Sequence, residues 1–335
     1  MKLFKDKKIF LLSFLFLSSC IEDAPLDSLS PAGPYARSID ELFWLTFWIA
    51  VGVFAIVQGA LLFSVFYFKE RESSPEPKQI HGNNFLEILW TIIPVLILAV
   101  IAVPTVRTIF DLAREPEDAL KIEVIGHQWW FEYKYPDFGI TTANVLVIPE
   151  DRPVRLEMWS NDVLHNYWVP KLNGKRYLVP GQTTYLNLQA DSPEEFWAQC
   201  GEYCGLSHSK MRGRVISMTE EDFASWVANE QSYAQKELPE SSLAAEGQIV
   251  YLNAGCTQCH VIDGVWDVQG DRIAPNLTHF ANRSVFAGAA LKNNPENLTK
   301  WLANPAEIKP GTFMPNLELT EKEINALIAY LGTLK

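Results

Sequence analysis

The sequence predicts a multidomain membrane protein: a two-helix transmembrane hairpin, an all-β Greek-key domain, then a small all-α domain. Three observations carry this. Residues 42–68 and 85–110 are apolar runs long enough to cross the hydrocarbon core of a bilayer. From about residue 120, short segments rich in β-branched and aromatic residues alternate with Pro, Gly, Asn and Asp. From Glu246 onward, apolar residues recur at helical spacing.

The length of 335 residues suits two or three domains. Residues 1–20 read as an export signal. Lys2, Lys5, Lys7 and Lys8 precede the short apolar core Ile9 to Leu17. The run Leu17-Ser18-Ser19-Cys20 resembles a lipoprotein cleavage box with Cys20 lipidated; the alternative is a plain signal with an incidental cysteine. Residues 21–41 read as an exposed tether. The run 42–68 has no charged residue, and Gln58 is its strong polar interruption. In 85–110 only Glu87 and Arg107, near the ends, are charged. The loop 69–84 carries Lys69, Arg71 and Lys78, which places it in the cytoplasm and both chain ends outside.

The segments KIEVIG, NVLVIP, VRLEMW, TTYLNL, EEFWAQ and GRVISM supply strands for a sandwich or barrel over 119–228. Residues 229–244 read as a linker, and 245–335 as the helical domain. There, Thr320 and Glu323 form a capping box. The net charge of −12 argues against nucleic acid as a partner. All five cysteines fall inside recognisable motifs, leaving none for a structural disulfide.

Two motifs carry chemistry. CGEYCGLSHSKM at 200–211 gathers two thiols, an imidazole and a thioether, a soft donor set that suits copper; the methionine argues against zinc. Thiolates bridge metals, so two of them can hold two coppers sharing one electron. His165, in SNDVLHNYW, is the best second imidazole. CTQCH at 256–260 is the attachment sequence of a c-type haem, with Cys256 and Cys259 for the thioethers and His260 as proximal ligand. Met314, in KPGTFMPNLELT, is the distal ligand this arrangement calls for.

With LEILWTIIP at 86–94 and GHQWWFEYKYP at 126–136, these motifs resemble subunit II of a haem–copper cytochrome c oxidase with a fused cytochrome c, as in caa-type enzymes. The resemblance spans nearly the whole chain after the signal. It implies a cupredoxin-like domain with a binuclear CuA centre and a class I cytochrome c domain. Cys200 and Cys204 would bridge the coppers, His165 and Met211 would complete one, and His208 and the Glu202 carbonyl the other. The Glu202 side chain would face a magnesium shared with subunit I. Trp129 would be the electron-input residue, although this chain reads Trp-Trp-Phe where the family commonly has Trp-Tyr-Trp. Glu87 would sit at the mouth of a proton pathway, and Ala274-Pro275-Asn276-Leu277 would brace the proximal histidine.

The implied function is electron transfer from the covalent haem through CuA to subunit I, where oxygen is reduced and protons are translocated. The implied partners are subunits I and III and a cytochrome c or upstream cytochrome complex. The implied location is a bacterial inner membrane, with both C-terminal domains on the periplasmic side. Two other readings are the electron-input subunit of a CuA-type nitric oxide reductase and a membrane-anchored copper carrier. A quinol oxidase subunit is disfavoured, because those lack the copper ligands. His127 reads as a structural histidine, and His279 as a surface or structural one.

Overall fold

The computed structural model describes residues 24–70, 76, 79–232, 237–265 and 273–335. The expected signal at 1–20, with Cys20, lies outside the described residues, as do Arg71 and Lys78.

Helices α1 (Pro34–Tyr67) and α2 (Asn84–Ala113) are long and apolar enough to cross a membrane, with windows of mean hydropathy 2.3 and 2.6 that are 0% buried within the chain. Such surface requires lipid or another subunit as its solvent. Several of their hydroxyls are satisfied within the helix: Thr46, Ser64, Thr91 and Thr105 each donate to the carbonyl four residues earlier. Asn83 caps α2 by accepting from the Phe85 and Leu86 amides.

Helix α1 starts at Pro34, inside the segment read as tether. The apolar pattern misses this turn because it packs on protein rather than lipid. Ala36 is buried, Arg37 pairs with Asp191, and the strand-like exchange Ala32 N to Lys171 O (2.8 Å) and Asp191 N to Ala32 O (3.0 Å) leads into it. At about 1.5 Å per residue, 34 residues reach about 50 Å, well beyond a hydrocarbon core of about 30 Å. At the corresponding end of α2, Asn187 Nδ2 donates to the carbonyls of Leu112 (2.9 Å) and Arg114 (2.8 Å), groups a helix end leaves without partners.

The β domain is a sandwich of two five-stranded sheets, ordered β3-β2-β1-β5-β8 and β4-β10-β9-β6-β7. The first holds β1 (Leu120–His127), β2 (Trp130–Tyr135), β3 (Ile140–Ala143), β5 (Val154–Ser160) and β8 (Thr184–Leu188). The second holds β4 (Val145–Pro149), β6 (His165–Trp168), β7 (Arg176–Leu178), β9 (Glu195–Cys200) and β10 (Arg212–Met218). Pairs β1/β5 and β4/β10 are parallel. All six sequence-predicted strand segments are strands. Ile122, Val124, Tyr133, Leu146, Ile148, Leu156, Met158 and Tyr167 are among the residues that fill the interior. Tyr135 of the first sheet ties itself to the second, its hydroxyl donating to Val147 O (2.9 Å) and accepting from Val147 N (2.8 Å).

After α3 (Glu220–Glu230), the C-terminal domain is built on α4 (Leu243–Asn253) crossing α7 (Glu321–Leu331), with α5 (Pro295–Ala303) and α6 (Pro305–Ile308) alongside. A two-residue ladder, β11 (Val285–Phe286) with β12 (Leu291–Lys292), adds to the helices. The expected capping box is present, Thr320 and Glu323 each bonding the other's backbone N–H.

At the α4–α7 crossing, a Cβ on Gly247 would collide with the Ala326 carbonyl and lie 2.8 Å from Tyr330 Cβ. Gly247→Ala will therefore push the helices apart and destabilise this domain by about 1–3 kcal/mol. Thermal unfolding of the purified chain checks this; an unchanged midpoint would mean that the crossing tolerates a methyl group.

Candidate metal and haem sites

The metal loop is the connection between β9 and β10. Cys200 ends β9, and Cys200 N donates to Met211 O (3.0 Å), closing residues 201–210 into a loop. Strand β6 lies on the other side of β9, with Tyr167 opposite Cys200, and delivers His165 from its first position.

The sulfurs of Cys200 and Cys204 are 3.8 Å apart, far longer than a disulfide. Cys200 Sγ is 3.9 Å from His165 Nδ1 and 3.3 Å from Glu202 O. Cys204 Sγ is 3.6 Å from His208 Nδ1 and 3.8 Å from Met211 Sδ. Ligand atoms of His165, Cys200 and Cys204 all lie within 4.8 Å of one another, and these residues are buried. A metal–thiolate bond of about 2.3 Å is longer than half the sulfur separation. An ion beside the line joining the sulfurs can therefore bond both, and so can a second ion on its opposite side. The donor set present fits two soft ions.

The electrostatics favour a single negative charge on the protein-only pair. Hydrogen bonding from Cys204 lowers the Cys200 thiol to about 4 against the opposing effect of burial, with help from His165. The same bond to a neighbouring thiolate, together with burial, raises Cys204. Two thiolate ligands thus require a cation to replace the shared proton. For His165, burial opposes protonation but is outweighed by Asp162 and Cys200, so its pKa is raised. Asp162 Oδ1 lies 2.7 Å from His165 Nε2, which commits that nitrogen and turns Nδ1 toward Cys200.

Trp129 lies against the loop. Its Nε1 donates to Cys204 O (3.0 Å), which also accepts from Gln128 Nε2 (2.7 Å). The opposite edge of the indole faces the C-terminal domain, where a Cβ on Gly311 would come within 2.7 Å of its ring. Trp129 is only 5% exposed. His127 is structural, as expected: it stacks on Trp130 and bonds the buried Glu132 carboxylate (3.2 Å).

In the C-terminal domain Cys256 and Cys259 are free thiols on one turn, followed by His260. His260 Nδ1 is 2.7 Å from Pro275 O, within the run expected to brace it, which leaves Nε2 as the ring nitrogen available to a ligand. Burial lowers its pKa and keeps the ring neutral, the form that ligates iron. Cys256, Leu277, Trp301 and Met314 pack on the domain core yet remain partly exposed, an incomplete apolar wall that a haem would cover. The residues present fit that group. His279 is not on the surface. It is 3% exposed, and its Nε2 lies 3.1 Å from Ser232 O.

The comparisons follow the same three-part division. Residues 27–108 match the family described as "Cytochrome C oxidase subunit II, transmembrane domain", 139–218 match "Cytochrome C oxidase subunit II, periplasmic domain", and 244–335 match "Cytochrome c". "Cytochrome c oxidase subunit 2" of Alkalihalophilus pseudofirmus is 38% identical over 347 residues, covering 100% of this chain and 99% of that protein. The chain belongs to the cytochrome c oxidase subunit II family. "Cytochrome c oxidase subunit 2" of Bacillus subtilis is 34% identical and covers 96% of this chain and 95% of its own. "Quinol oxidase subunit 2" of Bacillus spizizenii is also 34% identical, but covers only 68% of this chain and 72% of its own. The chain is therefore a membrane-bound oxidoreductase component, subunit II of a haem–copper oxidase with a cytochrome c domain. Membership implies CuA copper in the β domain and haem in the C-terminal domain.

Glu87 stands apart from both sites, exposed in the first turn of α2. The Glu202 side chain accepts from Tyr203 N (3.1 Å) and has no cluster of protein ligands around it among the described residues. Sequence reasoning missed Asp162, although its position three residues before His165 was a usable signal, and it missed Lys309, Ser207 and Gly311, whose partners are remote in sequence.

Removing the Asp162 carboxylate frees the His165 ring. Asp162→Ala is expected to lower copper retention about 10–100-fold, measured by metal analysis after dialysis against a chelator. Retention equal to the parent would show that the sandwich alone orients His165.

Proposed function

We propose that this chain is the electron-input subunit of a proton-translocating terminal oxidase. Electrons reach the C-terminal domain from a cytochrome c or an upstream cytochrome complex. They cross to the β domain at Trp129 and pass to subunit I, where oxygen is reduced to water. When bound, a haem c and a binuclear copper centre supply the one-electron stations of this transfer.

Cys256 and Cys259, with His260 and Met314, would hold the haem. Cys200, Cys204, His165, Met211, His208 and the Glu202 carbonyl would together hold the two coppers. Glu202 offers its side chain to a magnesium completed by subunit I. In this reading Glu87 admits protons to subunit I. Residues 1–20 are, in the same reading, an export signal with Cys20 lipidated, and the complex, with subunits I and III, lies in a bacterial inner membrane with both folded domains outside the cytoplasm.

One observation carries the reading. The Trp129 indole touches Gly311 of the C-terminal domain at one edge and bonds the carbonyl of a proposed copper ligand, Cys204, at the other. Trp129 is thus held between the metal loop and the C-terminal domain, and a preorganised contact needs little rearrangement at each transfer.

The purified complex should show the paramagnetic resonance pattern of one electron shared by two copper nuclei, together with a low-spin c-type haem band. Cys200→Ser should abolish the first and Cys256→Ser the second. Trp129→Leu should leave both signals and slow transfer between the domains by at least about tenfold, followed after flash reduction of the haem. A single-copper pattern, or no covalent haem, would return the chain to the copper-carrier reading. Glu87→Gln should slow oxygen turnover without slowing that transfer; unchanged turnover would remove Glu87 from the proton route.

A further inference from the structure

The contact that covers Trp129 is more than a touch of two surfaces. Two loops of the C-terminal domain, 285–289 and 308–311, seat on the metal loop and the start of β10. Val285 and Ala289 are buried in the interior cluster of the β domain rather than in that of their own domain. Arg212 N donates to Gly288 O (2.8 Å), Ser207 Oγ donates to Pro310 O (2.7 Å), and Lys210 Nζ donates to Ile308 O. Gly288 has φ +72° and Gly311 φ +81°. A Cβ at Gly288 would lie 2.6 Å from Trp129 O and 2.8 Å from Lys210 O, so only glycine permits this approach.

Lys309 is at the centre. It is 4% exposed and forms no ion pair among the described residues. Its Nζ donates to the Trp129 carbonyl and to Ala287 O (3.1 Å). One side chain thus joins both loops of the C-terminal domain to the backbone of the electron-input tryptophan. Burial lowers its pKa to about 7, so placing the amine here has a cost. A lysine on the outer face of a cytochrome domain meets no such cost when it stays in water. Its burial is explained by what it bonds.

We propose that Lys309 is a positioning residue for electron input: it latches the cytochrome domain onto the Trp129 backbone, so that this tryptophan serves the chain's own haem and is closed to a soluble donor. The proposal rests on the reading that electrons cross at Trp129. It has a consequence for the external partner. A soluble donor must dock on the exposed remainder of the cytochrome domain, because the β-domain face around Trp129 is already occupied.

The test uses the purified full complex and the variant Lys309→Met, which keeps the bulk and removes the donor. Two quantities are read: hydrogen–deuterium exchange of the peptide containing the Arg212 amide, and the haem-to-copper rate after flash reduction, with and without added glycerol. The copper resonance and the haem absorption bands should match the parent. Exchange at Arg212 should rise about tenfold, the scale set by the net worth of one hydrogen bond. The transfer rate should fall and become viscosity-dependent, because the domain must re-dock before each transfer; a residue with a merely stabilising role would not create that dependence. Parent-like exchange together with a parent-like, viscosity-independent rate would overturn the latch. If Lys309→Met does not assemble, Ser207→Ala removes a latch bond from the other domain and must shift both readouts in the same direction, by less; no shift overturns the proposal equally. If the unmodified complex shows no transfer between the domains, the functional reading fails, while the exchange comparison still decides whether Lys309 holds the dock.

Discussion

The backbone hydrogen bond from Cys200 N to Met211 O fixes the metal centre. It is an ordinary rung between two antiparallel strands, and its position decides everything above it. The strands are held in register at Gln199–Arg212 and Ala198–Gly213, so the residues between Cys200 and Met211 must leave the sheet and return within one loop. That loop cannot avoid folding Cys204 and His208 back over Cys200. A one-residue slip would turn Cys200 to the other face and scatter the donors. Packing of the sandwich interior, where a slip would turn buried residues to solvent, is thus the force that keeps two sulfurs 3.8 Å apart.

The close approach of the two sulfurs gives this arrangement its chemical character. In water, two adjacent thiols would titrate nearly independently. Here hydrogen bonding from Cys204 pushes the Cys200 thiol down, while that same neighbour and burial push the Cys204 thiol up. Asp162 does similar work one step out, its carboxylate aligning His165 while accepting from the backbone amides of Gln128 and Val163. Gln128 in turn donates to Cys204 O. The ligand, its aligning carboxylate and the residue preceding Trp129 therefore form one connected network, and polar networks of this kind resist piecemeal rearrangement.

What the sequence made legible was local. The spacing of Cys200, Cys204, His208 and Met211 is contained in one loop, and Cys256, Cys259 and His260 sit on one turn, so their grouping can be read without knowing the fold. His165 was found by residue type, and Pro275 through resemblance. Strand β2, within GHQWWFEYKYP, was harder to read: five of its six residues are buried, so it lacks the alternation that marks a half-exposed strand. The first turn of α1 was read as tether because its contacts are with the β domain, and apolar periodicity reports nothing about a partner elsewhere in the chain. The interdomain contacts are the extreme case. Trp129 and Lys309 are 180 positions apart, and nothing near KPGTFMP indicates that its lysine is buried against another domain.

These long-range contacts explain how a tether becomes a path. Fusion alone raises the local concentration of a donor domain, but leaves its orientation free. Orientation comes from successive anchors. The end of α2 is tied through Asn187 to β8, and the start of α1 through Arg37 and Ala32 to the segment after β8. The β domain therefore holds a set attitude to its two membrane helices. The C-terminal domain is then fixed to the β domain at 285–289 and 308–311, around Trp129, which bonds the metal loop. Apart from Arg37, which donates to the Asp191 carboxylate, these joints use backbone carbonyls as acceptors, so the alignment tolerates side-chain variation at those acceptor positions. It is intolerant where a glycine must let two backbones meet, as at Gly288 and Gly311.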